Sequence, residues 1–281
     1  MDDGSTDGSG AVCDDFARRD GRVKVIHQKN SGVSAARNAG LDAMQGNYLL
    51  FVDGDDTIAP DTIEIALQGF REDAVDVVLF GVTKVWKRVD RTEELPMEVG
   101  VFQRQEMLFG ILKDYAAYGA GFPVNKVWRV SSFGSCGDIP RFDRELYFFE
   151  DMEWVVRMLL GIRCARLLPD HCYQYYIHTS SATHRPGAQE RREVGYHKSI
   201  RKILDALPAE PAVYEWFSQK YYPEIVNGVI HAHRHRWSEL KRYLSESLRE
   251  CCGEILSADG VSANIKFRCR CLQLLQLLHL L

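Results

Sequence analysis

Residues 48–56 of the chain read YLLFVDGDD, an unbroken apolar run that ends in a cluster of acids. An apolar run of this length predicts a strand that is buried on both faces. In layered α/β proteins, ligands bind beyond the carboxyl ends of such strands. We therefore expect Asp53, Asp55 and Asp56 to lie where the sheet presents side chains to a ligand.

Strands and helices alternate on both sides of this segment. The apolar runs at 23–27 and 75–86 have strand character, and helical patterns cover 31–44, 60–70 and 104–118. Strands that alternate with helices predict an α/β fold with a mostly parallel sheet and helices on its faces.

The remainder of the chain has a different pattern. A polar stretch over 87–100 predicts a loop or hairpin, and from about residue 194 the sequence is helical, with breaks at prolines and at Gly260. We therefore predict two parts, an α/β domain over residues 1–190 and a helical extension over residues 191–281.

The composition limits the classes of partner. The chain has 281 residues, is 46% hydrophobic and carries a net charge of −4, as is typical of a globular protein. Its C-terminal part is only mildly basic and lacks an aromatic and basic stripe, so no nucleic-acid partner is predicted. Eight cysteines without a regular framework indicate reduced thiols. We expect a cytoplasmic protein, and peripheral association with the inner face of the cell membrane stays open.

The D-x-D pair Asp53 and Asp55 has several chemical interpretations. Two carboxylates at a strand end can share one Mg²⁺ or Mn²⁺ ion, which takes oxygen ligands and completes its shell with phosphate oxygens. The same residues resemble the nucleophile loop of haloacid-dehalogenase-type phosphatases, in which Asp53 would attack phosphorus and Asp55 would serve as acid and base. The third interpretation is a solvated acidic turn before a helix.

Two upstream motifs favour the first interpretation. DDGSTDGS at 2–9 and NSGVSAARNAG at 30–40 precede the D-x-D motif in this order. The three motifs together resemble the nucleotide-binding half of the inverting glycosyltransferases of family 2, which have a GT-A-type fold. The phosphatase interpretation leaves the first two motifs unexplained.

The resemblance covers roughly residues 1–185. Compared with the family, the chain lacks the first strand, the first helix and most of the second strand. We therefore expect a truncated gene product, a misassigned start or a non-catalytic remnant.

The resemblance implies roles in donor binding for the first two motifs. Asp2 and Asp3 would lie at the nucleotide base, with Asp3 as the stronger candidate for accepting an N–H of the base. Ser5 and its neighbouring glycines would let the backbone approach the ligand. Arg37 would contact the diphosphate, although without the family a surface salt bridge explains it equally well.

The resemblance also assigns the metal ligands. Asp53 and Asp55 would bind the metal and the ribose, with Asp55 as the firmest ligand and Asp56 in support. His184, and more weakly His178, is a candidate for contacting the metal or the pyrophosphate.

A second acidic segment, FFEDMEW at 148–154, provides candidate catalytic residues. An inverting transfer needs a base that takes the proton of the acceptor hydroxyl. In the family a Glu-Asp pair that opens a helix has this role, which implies Glu150 and Asp151 here, with Asp151 as the base. The alternative is that these acids only complement the helix dipole.

Asn125, Lys126 and Trp128 are the candidate acceptor contacts. An aromatic ring packs well on a sugar face, although Trp128 could equally belong to the core. The resemblance thus implies a transferase that depends on Mg²⁺ or Mn²⁺. It would move a sugar, most commonly from a UDP-linked donor in the family, to a hydroxyl of a glycan or lipid-linked acceptor during polysaccharide biosynthesis.

Overall fold

The computed structural model describes residues 1–71, 74–86, 89–113, 121–177 and 189–277. The chain divides into two compact units, Met1–His178 and Thr179–Leu281. In the described residues, every strand belongs to the first unit, and the second unit is helical. The predicted combination of an α/β part and a helical C-terminal part is present.

The described strands lie in two sheets. Their bounds are β1 Tyr48–Leu49, β2 Thr57–Ile58, β3 Val75–Leu79, β4 Val82–Trp86, β5 Arg91–Glu94, β6 Gly100–Gln103, β7 Lys126–Arg129, β8 Cys164–Leu167 and β9 Tyr173–Tyr176. The first sheet has the order β1-β7-β3-β8-β6 and the second β2-β9-β4-β5. In the first sheet, only β3 and β8 pair in parallel. The sheets are therefore mixed, which corrects the expectation of a mostly parallel sheet.

The helices largely follow the predicted periodicity. Their bounds are α1 Ser9–Arg19, α2 Val33–Ala43, α3 Thr62–Gly69, α4 Arg104–Lys113, α5 Glu150–Leu160, α6 Gln189–Ala206, α7 Pro211–His235, α8 Ser238–Ser257 and α9 Ala263–Leu277. Pro223 lies inside α7 and does not end it. The polar stretch after β4 forms the predicted hairpin, because β5 pairs antiparallel with β4.

Three strands of the first sheet continue directly into the second. The chain passes from β1 to β2, from β3 to β4 and from β8 to β9. Strand β3 pairs with β8 in the first sheet, and their continuations β4 and β9 pair with each other in the second sheet. At the β3–β4 passage, a Cβ on Gly81 would lie 2.5 Å from the ring of His171, so only glycine fits there. The β1–β2 passage is the acidic segment Asp53–Asp56.

The predicted strand at 23–27 is wrong. The segment makes a single parallel bridge, in which Asp2 N–H donates to Ile26 O at 2.9 Å and Gln28 N–H donates to Asp2 O at 3.0 Å. A strand requires a continuous partner, and in the described residues this segment pairs only around Asp2. Its apolar alternation was therefore insufficient to define a strand.

Asp76 organises the central strand β3. Its carboxylate is buried and accepts hydrogen bonds from the Ser132 hydroxyl at 2.7 Å, the Arg163 amide at 2.6 Å and the Arg163 guanidinium at 2.9 Å. Burial opposes ionisation, but these donors outweigh it and hold the pKa of Asp76 below its usual value. The pairing of β3 with β8 shifts in register at this residue. The carboxylate thus joins β3 to the turn after β7 and to the start of β8.

The helical unit packs around buried polar and apolar side chains. His197 on α6 is buried and shares a hydrogen bond of 2.8 Å with the Tyr221 hydroxyl on α7. Burial lowers the pKa of His197 to about 4, so the ring is neutral at pH 7.

Across the described ranges, no helix is long and apolar enough to cross a membrane.

Asp76→Ala is expected to reduce the free energy of unfolding by about 3 kcal/mol, because it leaves buried amides without an acceptor. Urea unfolding at pH 7 measures this effect, and Asp20→Ala, which removes an exposed partner of Arg22, should cause no measurable change. Since the folded pKa of Asp76 is lowered, its contribution is present above the unfolded pKa near 3.9 and is lost as the pH falls. A difference between variant and parent that persists undiminished at low pH would contradict this assignment.

Candidate active site

The β1–β2 passage is fixed by a buried tyrosine of β9. The Tyr173 hydroxyl accepts the Asp53 N–H at 3.2 Å and donates to the Asp56 carboxylate at 2.7 Å. Asp56 also accepts the Tyr176 N–H at 2.9 Å. Burial raises the pKa of Asp56 despite these bonds. Asp56 therefore anchors the loop to β9, whereas the sequence predicted it as a supporting residue for metal binding; the side chains of Asp53 and Asp55 remain accessible.

Arg37 connects this loop to the second acidic segment. Its Nη2 donates to Asp53 Oδ1 at 3.1 Å, and its Nη1 lies 3.9 Å from Glu150 Oε1 at the start of α5. The guanidinium also lies over the ring of Phe142, 5.3 Å from its centre, and is only 12% exposed. Nη1 is buried without a hydrogen bond in the described structure. A nearly buried cation with a donor to spare thus lies between two carboxylates.

The pKa of Asp151, which follows Glu150 at the start of α5, is raised. Burial and then the neighbouring Glu150 carboxylate raise the pKa of Asp151 to about 6, while Arg37 acts in the opposite direction. The carboxylate also accepts the Met152 N–H at 2.7 Å. A carboxylate with a pKa close to neutrality can take a proton at pH 7 and release it again.

The three predicted acceptor contacts are buried. Asn125 donates to Phe80 O at 3.0 Å, and Lys126 Nζ donates to Asn125 Oδ1 at 2.8 Å and to the Phe122 carbonyl at 2.7 Å. Burial holds the pKa of Lys126 well below its usual range, with Asp151 opposing this effect.

Trp128 is also fully buried, and its ring packs edge-on against the ring of Trp154 at 5.8 Å. An acceptor sugar cannot reach these side chains in this structure, which corrects the prediction for Asn125, Lys126 and Trp128. For Trp128, the core interpretation applies.

The N-terminal acidic motif is held by the second motif. Asp3 accepts the amides of Ser31 and Gly32 at 2.8 Å each and the Gln28 side chain at 2.7 Å. Burial opposes ionisation of Asp3, but these donors prevail and lower its pKa. A carboxylate has about four acceptor positions, so Asp3 can still accept a ligand N–H.

Asp2 points elsewhere. Its side chain accepts the Ser5 amide at 2.9 Å and meets His27 Nδ1 at 2.7 Å. Bonds from Ser5 and then His27 lower the pKa of Asp2 to about 2. The side chain is only 9% exposed, which leaves it mainly a structural role in shaping the loop. Ser5 itself is exposed beside that loop.

A metal ion would find two carboxylates in the D-x-D loop. Within the described ranges, no group of three or more His, Cys, Asp or Glu side chains could hold a metal ion. Asp53 and Asp55 alone still match the one or two protein carboxylates that Mg²⁺ typically uses when phosphate oxygens supply other positions. His178 and His184, the other candidates, lie outside the described residues.

The structure thus joins Arg37, Asp53, Glu150 and Asp151 in one constellation with the Tyr173-bound loop. Sequence reasoning missed Tyr173, because its role depends on pairing between β2 and β9, which are more than 100 residues apart. The only signal was a tyrosine-rich strand, YQYY, which by itself does not indicate a loop contact.

Comparisons with known proteins show similarity to glycosyltransferases. Residues 1–130 match the model of the family described as Glycosyl transferase family 2. EpsJ of Bacillus subtilis (strain 168), named as an uncharacterized glycosyltransferase, is 27% identical over 206 residues, which are 71% of this chain and 59% of EpsJ. YibD of Escherichia coli (strain K12), also named as an uncharacterized glycosyltransferase, is 25% identical over 83% of this chain and 70% of its own length. The chain therefore spans less than two thirds of EpsJ.

A solved structure shares the fold. The crystal structure of S. aureus TarS residues 1–349 in complex with UDP superimposes with a TM-score of 0.59 at 19% identity, over 89% of this chain and 80% of that chain. This match confirms the predicted α/β, GT-A-type fold class.

Tyr173→Phe is expected to release the acidic loop, because the variant loses both the acceptor of the Asp53 amide and a donor to Asp56. Amide hydrogen exchange at Asp53 should accelerate, and the free energy of unfolding should fall by about 1–2 kcal/mol. The matched control is Tyr48→Phe on β1, since the Tyr48 hydroxyl has no partner in the described part of the chain. Unchanged exchange at Asp53 in Tyr173→Phe would show that the hydroxyl does not hold the loop.

Proposed function

We propose that this chain, whose residues 1–130 match the model of glycosyl transferase family 2, transfers a sugar, with inversion, from a nucleotide-sugar to a hydroxyl of a glycan or lipid-linked acceptor. The observation that carries this proposal is that Arg37 lies between Asp53 of the D-x-D loop and Glu150, whose neighbour Asp151 has a raised pKa. A displacement of this kind needs a base and a site for the leaving diphosphate, and this arrangement provides candidates for both.

Asp151 is the proposed base. Its ionised form would take the proton of the acceptor hydroxyl as the oxygen attacks the sugar carbon and the diphosphate leaves on the opposite face. Glu150 would tune this step, since its negative charge helps to raise the pKa of Asp151. Arg37 would stabilise the leaving diphosphate, and its Nη1, which lacks a hydrogen bond in the described structure, is the donor available for this purpose.

The donor is proposed to be a UDP-sugar. TarS, which shares the fold, has been crystallised with UDP. Asp3, with acceptor capacity left and a lowered pKa, would accept an N–H of the base. Ser5 and the glycine-containing loop would let the backbone come close to the ligand, while Asp2 would hold that loop in shape through its bond from the Ser5 amide.

Asp53 and Asp55 would hold a Mg²⁺ or Mn²⁺ ion together with the diphosphate oxygens, and His184 stays a candidate for a further contact. The bound ion would offset the negative charge on the leaving group. Because Asp53 already receives a donor from Arg37, Asp55 is the more available ligand.

Two other interpretations of the chain make different predictions. The phosphatase would cleave a generic phosphate ester in a reaction that depends on Asp53, and neither the family match nor the shared fold supports it. The non-catalytic remnant would bind UDP with Mn²⁺ weakly or not at all. Calorimetry with UDP and Mn²⁺ therefore separates the remnant from the enzyme.

Asp151→Asn is expected to reduce sugar transfer by at least 100-fold, because the amide cannot accept the acceptor proton, while binding of UDP with Mn²⁺ is retained. A panel of UDP-sugars, assayed for transfer and hydrolysis with and without Mn²⁺, measures the activity. Glu145→Gln, an exposed acid near the start of α5, is the matched control and should retain activity. Full turnover by Asp151→Asn would remove Asp151 as the base.

The pH dependence follows from the raised pKa of Asp151. Since the base must be ionised, kcat/KM should increase as the pH rises through about 6 and level off above it. Glu150→Gln removes a like charge and should shift this transition to lower pH, whereas Arg37→Met should shift it to higher pH. The measurement is kcat/KM between about pH 5 and pH 8. A transition that does not move in either variant would exclude Asp151 as the group that titrates.

A further inference from the structure

Helix α9 presents an apolar stripe to solvent. Phe267 is 66% exposed, and Leu274 and Leu275 are also exposed. Because they are seven and eight residues after Phe267, the two leucines lie on the same side of the helix as Phe267. The opposite side of α9, which carries Ile265, Cys269 and Leu272, is buried in the helical unit. The exposed stripe is therefore a second apolar surface that the packing of this unit does not use.

Basic side chains border the stripe. Successive residues of a helix are about 100° apart, so Arg268 and Arg270 lie on either side of Phe267. Both arginines are exposed, and the sequence of α9 contains no Asp or Glu. Arg270 has no carboxylate within ion-pair distance in the described structure, and Arg268 donates to the neutral Asn227 side chain at 2.9 Å. We name Phe267, Leu274, Leu275, Arg268 and Arg270 the α9 face.

A pocket beside the α9 face extends its positive charge. The pocket measures about 420 Å³ and is lined by Asn227, Ile230, His231, Arg234 and Arg268. Among the described residues, Arg234 also has no carboxylate within ion-pair distance. Two arginines and a histidine around a small surface pocket are suited to the phosphate of an anionic headgroup.

We propose that the α9 face docks on an anionic lipid surface. Its apolar stripe would lie at the boundary between the lipid headgroups and the acyl chains, and a headgroup phosphate would occupy the adjacent pocket. An exposed apolar stripe flanked by arginines is the pattern of a helix that lies in the plane of a membrane interface. Charge complementarity selects this occupant over a second copy of the chain. A two-fold contact between copies would bring the same unpaired arginines together. The proposal goes beyond sugar transfer, because docking requires neither donor nor acceptor.

Vesicle co-sedimentation of the full chain tests this proposal. The chain should bind vesicles of phosphatidylcholine with phosphatidylglycerol, and it should bind pure phosphatidylcholine at least tenfold more weakly, with binding to the anionic vesicles reduced by salt. Arg268→Gln combined with Arg270→Gln should lower the partition coefficient about tenfold. Phe267→Ser should lower it on anionic vesicles without removing the salt dependence.

The matched control is Phe16→Ser on α1, because Phe16 is 58% exposed but lies outside the α9 face. It should bind vesicles like the parent. Equal binding by the parent and all α9 variants would overturn the proposal, and so would equal loss in Phe16→Ser. If the parent forms a dimer that Phe267→Ser dissociates, and neither binds vesicles, the α9 face is a contact between copies instead. Phe267→Ser and the double variant of Arg268 and Arg270 are tested independently, so that if one of them misfolds the other still tests the proposal.

Discussion

The carboxylate of Asp76 lies in the central strand of the first sheet, out of reach of water, and the neighbouring elements supply its hydrogen bonds. A buried charge is tolerated only when donors surround it. Here they come from Ser132 in the turn after β7, from Arg163 just before β8 and from Cys164, the first residue of β8. This requirement fixes where β8 begins relative to β3, and the register shift between those strands occurs at the same residue. The parallel β3–β8 pair continues into the second sheet as β4 and β9, so the constraint extends to both sheets.

The acidic site depends on that continuation. Tyr173 belongs to β9, and its position is set by pairing with β4 on one side and β2 on the other. From there its hydroxyl meets both ends of the segment Asp53–Asp56, one through an amide and the other through a carboxylate. The loop that carries the D-x-D motif is thus held by a strand in addition to its own turn, in which the Asp56 N–H donates to Asp53 O at 3.2 Å. Such support from a regular element is what keeps binding groups in a defined geometry.

Local chemistry was sufficient for one part of this description. The sequence signals were an apolar run that ends in acids, an acid pair that opens an amphipathic helix, and three motifs in a family's order. They predicted the fold class and proposed Asp53, Glu150 and Asp151 as site residues. Which segments pair or pack with each other could not be predicted from the local sequence. The direction of strand pairing, the failure of 23–27 to form a strand and the burial of Trp128 depend on segments far apart in the chain. Tyr173 is the clearest case, since only the β2–β9 pairing gives it a role.

Folding of the chain is coupled to the release of a proton from Lys126. The side chain is fully buried, donates to a carbonyl and an amide oxygen, and has a pKa well below its usual range. In the unfolded chain, a lysine binds its proton up to about pH 10.4. Between the folded pKa and that value, folding therefore expels a proton from Lys126, and the folded state gains stability as the solution becomes more alkaline. Folding of this part of the core, which lies close to the proposed base Asp151, is therefore coupled to the release of a proton from Lys126.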